Sequence, residues 1–232
     1  MVPASEALVQ ATMEWDEEEL EIPDSSLDVS FSKEKLQRLR EPWRNTLMAK
    51  VLGMSINRNF LVDRVNRMWK TKDRLEVIDL GQDIFLLKFH NGDDMERALY
   101  GGPWFILNQY LMLTKWKPDF RPSSSTFDKI MVWIRLPELP LDYYEKDALF
   151  AIAEKVGKPI KVDYATDTVA RGRYARVCIE LELSKALVTK VWVAKEWQAV
   201  EYENLNMVCF NCGLIGHRKD QCSTHYGKIK DR

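Results

Sequence analysis

Residues 75–89 read LEVIDLGQDIFLLKF, two short apolar runs, Leu75 to Leu80 and Ile84 to Phe89, joined by Gly81-Gln82-Asp83. A brief glycine-containing break between two such runs predicts a β-hairpin. In the second run Phe85, Leu87 and Phe89 share one face, and Ile84, Leu86 and Lys88 share the other. Upstream, Thr46 to Leu52 is apolar and strand-like. Asn57 to Lys70 places Phe60, Leu61, Val65, Met68 and Trp69 at helical spacing, with Arg58, Arg64, Arg67 and Lys70 on the remaining surface. Downstream, Asp93 to Tyr100 predicts a short helix, Gly101-Gly102-Pro103 breaks it, and Tyr110 to Trp116 predicts another strand. Strand, helix, strand, strand, helix, strand is the split βαβ order of ferredoxin-like folds, which RNA-recognition motifs share.

Further out the pattern changes. Residues 1–30 contain no Lys or Arg and are rich in acids, Glu14, Asp16, Glu17, Glu18, Glu19 and Glu21 among them. Too little apolar surface is available there to offset the entropy of ordering, so a disordered acidic tail is expected. Residues 31–44 predict a short helix and linker, with Ser32 as cap and Pro42 as stop. After the ferredoxin-like unit at 45–118, a turn-rich linker at 119–128 leads into a second α+β region at 129–206. That region has predicted strands at 129–136, 160–164, 175–183 and 187–194, with 197–202 as hairpin partner of the last. A helix at 145–156 carries Leu149, Ile152, Ala153 and Val156 on one face. The sequence gives no topology for this second half and no visible repeat.

Residues 209–222 read CFNCGLIGHRKDQC, a C-x2-C-x4-H-x4-C spacing. Cys209, Cys212, His217 and Cys222 are the soft and borderline ligands that tetrahedral zinc takes, and two intervening residues let one tight turn present the first pair of thiolates. Gly213 and Gly216 supply unusual backbone angles. Four protein ligands close the site, so one structural Zn2+ is expected and no open position for catalysis. So short a segment has almost no core of its own, and metal binding would supply its folding free energy. This defines a zinc knuckle at 207–224, with a basic tail at 225–232. His225 is an outside candidate for a ligand; surface histidine is the plainer reading for it and for His90. Cys178, alone in an apolar stretch, reads as a small buried hydrophobe.

Zinc knuckles are among the modules that recognise single-stranded RNA. Phe210 is placed to stack an unpaired base, Leu214 or Ile215 to form the other wall, and Arg218 and Lys219 to meet phosphates. The plainer reading is that the apolar residues cover the metal core or contact protein. The ferredoxin-like unit offers no comparable platform, because Ile84 and Leu86 fall where stacking aromatics belong. An aliphatic face of that kind is better covered by protein, the second half of the chain or another copy. Trp69, Trp104, Trp116 and Trp133 lie in apolar patterns and read as core.

Taken together, the residues Trp69, Phe85-Leu-Leu-Lys-Phe89, Gly102-Pro103-Trp104, Trp116, Trp133-Ile-Arg-Leu-Pro137 with Leu139-Pro140, Ala175-Arg176-Val177 and Tyr202-Glu203-Asn204-Leu205, followed by the knuckle, form an ordered set. The sequence resembles the Gag-like, first-reading-frame proteins of plant LINE-type (non-LTR) retrotransposons and their domesticated relatives, over about residues 45–222. The resemblance implies a domain of unknown function joined to a CCHC-type knuckle, zinc binding, and RNA as the substrate of an element-encoded particle.

The expected fold class is therefore α+β: a ferredoxin-like (RRM-like) βαββαβ unit, a second small α+β region and a C-terminal zinc knuckle. The expected function is zinc-dependent binding of single-stranded nucleic acid, RNA ahead of DNA, with self-association through the α+β domain as a further partner mode. The alternative is an interaction or assembly module whose knuckle contacts protein. No Walker-type phosphate loop, H-E-x-x-H or G-x-S-x-G motif is present, so no enzyme is expected. No apolar run approaches the ~20 residues that span a bilayer, and the acidic N-terminus is unlike a secretory or transit peptide. No membrane partner is expected, and the location expected is nucleus or cytoplasm.

Overall fold

In the computed structural model, residues 29–123, 127–217 and 219–222 are described. The acidic tail up to residue 28, part of the 119–128 linker, Arg218, His225 and the basic tail lie outside them. The chain separates into two units, Met1–Leu39 and Arg40–Arg232. The first contains most of helix α1 (Lys33–Arg40), which buries no residue and whose Lys35 amide donates to the Ser32 hydroxyl. The second holds everything else.

Its first half runs β1 (Thr46–Val51), α2 (Arg58–Trp69), β2 (Leu75–Asp79), β3 (Phe85–Phe89), α3 (Gly92–Gly101), β4 (Trp104–Ile106) and β5 (Gln109–Lys115). The antiparallel sheet order is β2-β3-β1-β5-β4. Without the short edge strand β4, this is the ferredoxin-like arrangement expected from the sequence. Both helices start at an asparagine. The Asn57 side chain accepts from the Phe60 amide at 2.8 Å, and the Asn91 side chain accepts from Asp93 and Asp94. Leu61, Val65 and Trp69 of α2, four residues apart, pack with Phe85, Leu87 and Phe89 of β3 in one core. Asp94, almost fully buried, accepts from the Lys72 and Asp73 amides and from Arg97, which fixes the α2–β2 turn onto α3.

The opposite face of this sheet is closed by the chain itself. Met48 and Leu86, partners across β1 and β3, are buried. Trp43 packs against Trp116 with ring centres 6.2 Å apart, and the Lys88 ammonium lies over the Trp43 ring. Tyr110 and Met112 of β5 belong to the core of the second half. The aliphatic face expected to seek a cover finds it within the molecule.

The second half runs β6 (Lys129–Pro137), α4 (Lys146–Glu154), β7 (Lys158–Val162), a one-turn α5 (Tyr164–Asp167), β8 (Tyr174–Glu182), β9 (Lys190–Val193), β10 (Glu196–Ala199) and β11 (Glu201–Tyr202). Its four-stranded sheet has the order β11-β6-β8-β7. Substituting β6 for β1, α4 for α2, β7 for β2, β8 for β3 and β11 for β5 gives the same split βαβ connectivity as the first half. The hairpin β9-β10 stands where the second helix would be. The chain thus repeats one topology twice, which the sequence did not reveal. Residues 197–202 were expected to pair wholly with 187–194. Instead they divide, Glu196–Ala199 pairing with β9 and Glu201–Tyr202 with β6. Cys178 is buried as expected, and burial pushes its thiol up to about 12.

One ion cluster ties this half together. The Glu203 carboxylate, just past β11, accepts from Arg135 Nε of β6 at 2.6 Å and from Arg176 Nε and Nη2 of β8 at 2.9 and 2.8 Å. Arg176 also donates to Asp163 at 2.8 Å, and its guanidinium lies 4.0 Å from the centre of the Trp133 ring. The Tyr110 hydroxyl of the first half donates to the Glu203 carbonyl. Burial would raise the Glu203 pKa, but hydrogen bonds and charge from Arg176 and Arg135 more than offset it, so its carboxyl sits below the ordinary range. A carboxyl with a depressed folded pKa adds stability that is complete above its unfolded pKa and is lost as pH falls through the folded value. Glu203→Gln is expected to lower stability at neutral pH by about 2 kcal/mol, below the range for a fully buried pair because Arg135 is partly open to solvent. In urea unfolding the gap between wild type and variant should begin to narrow as pH falls below about 4 and close only once pH is below the lowered folded value. An equal gap at both pH values would contradict the ionic role.

Candidate metal centre and nucleic-acid interface

The knuckle is built on a small antiparallel turn. Val208 and Ile215 form a β-bridge; the Cys209 amide donates to the Leu214 carbonyl at 2.9 Å, and the Gly216 amide to the Met207 carbonyl at 2.8 Å. The Gly213 amide closes the loop onto the Cys209 carbonyl. Gly213 has φ +74°, and a Cβ there would also lie 3.2 Å from the Cβ of Ala186, so both backbone and packing require glycine. A single 3-10 turn, Lys219–Gln221, returns the chain to place Cys222.

The four residues expected as ligands converge. One donor atom each from Cys209, Cys212, His217 and Cys222 lies within 4.8 Å of all the others, and Cys212 Sγ is 3.4 Å from His217 Nε2. A tetrahedron with bonds of ~2.3 Å has edges of about 3.8 Å, so the cluster has the size and the donor chemistry of a metal site. Asn211 Nδ2 donates to Cys222 Sγ at 3.4 Å. The Leu214 amide hydrogen bond favours the Cys212 thiolate, but burial and the neighbouring Cys209 and Cys222 outweigh it and raise its pKa. Three sulfurs so close resist becoming anionic together unless a cation joins them.

The residues assigned to nucleic acid are placed differently from one another. Phe210 stands out from the turn with 93% of its surface exposed. Lys219 is exposed and Leu214 half-buried. Arg218 lies outside the described residues. Ile215 is not a wall for a base. It is buried and belongs to the core formed by β6, β8 and α4, together with Leu52, Val191 and Val200. The sequence could not distinguish Leu214 from Ile215, since both are apolar and adjacent. The bridge to Val208 decides which one turns inward.

That inward turn makes the knuckle part of the body. The Leu187 amide donates to the Gly213 carbonyl at 3.0 Å, and Met207 packs where a Cβ of Gly53 would be. Ile215→Ala is expected to destabilise the Arg40–Arg232 unit by about 2–4 kcal/mol, as loss of a buried aliphatic side chain does. A thermal unfolding midpoint unchanged from wild type would show the knuckle to be independent of the sheets.

Among the described residues no helix is long and apolar enough to cross a membrane. Residues 39–124 match the family model of a domain of unknown function (DUF4283), and residues 191–224 match that of a zinc knuckle. An uncharacterized protein of Arabidopsis thaliana is 22% identical over 134 residues, covering 56% of this chain and 42% of that protein. The match therefore spans less than half the length of this relative. Among solved structures, the RNA-binding domain of Hrp1 in complex with RNA aligns with 69% of this chain and 95% of its own, at 8% identity and a TM-score of 0.27. The chain carries a DUF4283 domain followed by a CCHC-type zinc knuckle.

Proposed function

We propose that this protein binds single-stranded nucleic acid through a zinc-dependent knuckle, RNA ahead of DNA, without a catalytic step. The observation that carries this reading is Phe210. A phenylalanine with nearly its whole surface in water contributes no burial to the fold, and its place between two cysteines of the cluster is what gives its exposure meaning. It stands on a turn pinned on one side by the Cys and His cluster and on the other by Ile215. Exposed and aromatic, it offers a face on which any unpaired base stacks, and Lys219 on the following turn supplies a cation for the backbone. Three thiolates and one imidazole are the set that zinc takes as one closed structural ion.

The order of a DUF4283 domain followed by a CCHC knuckle supports an origin in the Gag-like protein of a plant retrotransposon, working in nucleus or cytoplasm. Self-association through the α+β body belongs to the same reading. The open face of the first sheet is already filled, so a second copy would use other surfaces.

Phe210→Ala is expected to keep one zinc per chain and to weaken binding to single-stranded RNA by about 1–3 kcal/mol, the usual contribution of one stacked base. Fluorescence anisotropy with a labelled oligonucleotide measures this. An unchanged affinity would remove stacking on Phe210 from the account.

A further inference from the structure

The hairpin β9-β10 has two unlike faces. On the inner face Val191 is buried in the core of the second half, and the Gln198 amide donates to the Pro137 carbonyl at 2.8 Å. On the outer face Trp192 and Trp197 are direct cross-strand partners. Their rings meet edge to face with centres 5.1 Å apart, and they are 57% and 59% exposed. Tryptophan is rarely left in water in this way, and a single such residue needs less explanation than a pair. The surroundings are polar: the Lys190 ammonium lies 4.6 Å from the Trp197 ring centre, and Lys195 sits at the hairpin tip. The two turn residues, Ala194 and Lys195, have φ of +44° and +88°. Such turns favour Asn-Gly, so the tip accepts local strand-turn strain and carries a lysine in the place where glycine is most at ease.

We propose that Trp192 and Trp197, with Lys190 and Lys195, form a second stacking site for single-stranded nucleic acid, on the chain segment hydrogen-bonded to the knuckle. This rests on the reading of the knuckle as a nucleic-acid binder and extends its footprint. Charge and chemistry favour this occupant. Unpaired bases present flat faces to aromatic rings without regard to sequence, and lysines interleaved with aromatics meet the phosphates between them. A tryptophan pair with a polar rim also suits a protein partner, and the lysines Lys190 and Lys195 beside the rings are what favours a polyanion. Edge-to-face packing leaves ring surface open that flat stacking would hide, and it holds both rings in place before any ligand arrives. The hairpin begins three residues after Leu187, whose amide is bonded to the knuckle at Gly213. The segment that carries the tryptophan pair is thus tied to the knuckle by a backbone hydrogen bond, and a strand long enough to reach both would engage two aromatic platforms.

The test uses the full chain and oligouridine of two lengths, about 6 and about 15 nucleotides, within the range of site sizes for single-strand binders. Trp192→Ala/Trp197→Ala is expected to weaken binding of the longer strand by about tenfold or more and to leave the shorter strand within about twofold of wild type. Phe210→Ala or chelation, by contrast, should weaken both lengths. Wild-type affinity for the longer strand in the double variant, with an unchanged unfolding midpoint, would overturn the proposal and leave the pair to a protein partner. Photocrosslinking of wild-type protein to a thiouridine-containing strand gives a readout independent of how the variant folds. Adducts on Trp192 or Trp197 are expected. Adducts on Phe210 with none on either tryptophan would overturn the proposal. If chelation and Phe210→Ala change nothing while the tryptophan variant loses affinity, the knuckle reading fails and the hairpin site stands.

Discussion

The Glu203 carboxylate, held between Arg135 and Arg176, is the point from which the second half of the molecule is organised. β11 is only two residues long and makes two pairings with β6. So short an edge strand has little to hold it by ladder hydrogen bonds alone. The ion cluster supplies what the strand lacks, and it does so at the residue where the chain leaves the sheet for the knuckle. Asp163 and Trp133 extend the same cluster to α5 and to the face of β6, and Tyr110 joins it to the first sheet. Several residues that carry the family resemblance, Trp133, Arg135, Arg176 and Glu203, are thereby explained by one physical object. They are distant in sequence and share one network.

Much of the first half was legible because its signals are local. Phe85, Leu87 and Phe89 alternate, Leu61, Val65 and Trp69 recur at four residues, and Gly101-Gly102-Pro103 punctuates. The second half was harder to read. Its strands are visible as apolar runs, but the pairing of β11 with β6 depends on charges about seventy residues apart that no window of sequence joins. The repeat of topology is hidden for a related reason. The β9-β10 hairpin replaces a helix, so the two halves share connectivity without sharing a pattern of elements.

The candidate site divides in the same way. The four candidate ligands were legible from their fixed spacing, since the tetrahedral geometry of zinc calls for such a spacing. Phe210 was legible as the aromatic between the two cysteines. Ile215 was not, because its burial comes from a core supplied by residues far upstream. Trp192 and Trp197 carried no signal as a pair. Their opposition follows from the tight turn at Ala194 and Lys195, where neither residue advertises a turn.

The knuckle and the α+β body are thus one structure with a shared core. The binding face proposed for it lies where the chain exposes aromatics to water. The central claim is that nucleic-acid binding depends on the metal-held turn. The most direct measurement is binding of the full chain to labelled single-stranded RNA across a salt series, with and without a zinc chelator. The account predicts that chelation abolishes most of the affinity, and that affinity with zinc present falls with salt as counterion release requires. Undiminished binding after zinc removal would contradict it and move the site away from the knuckle.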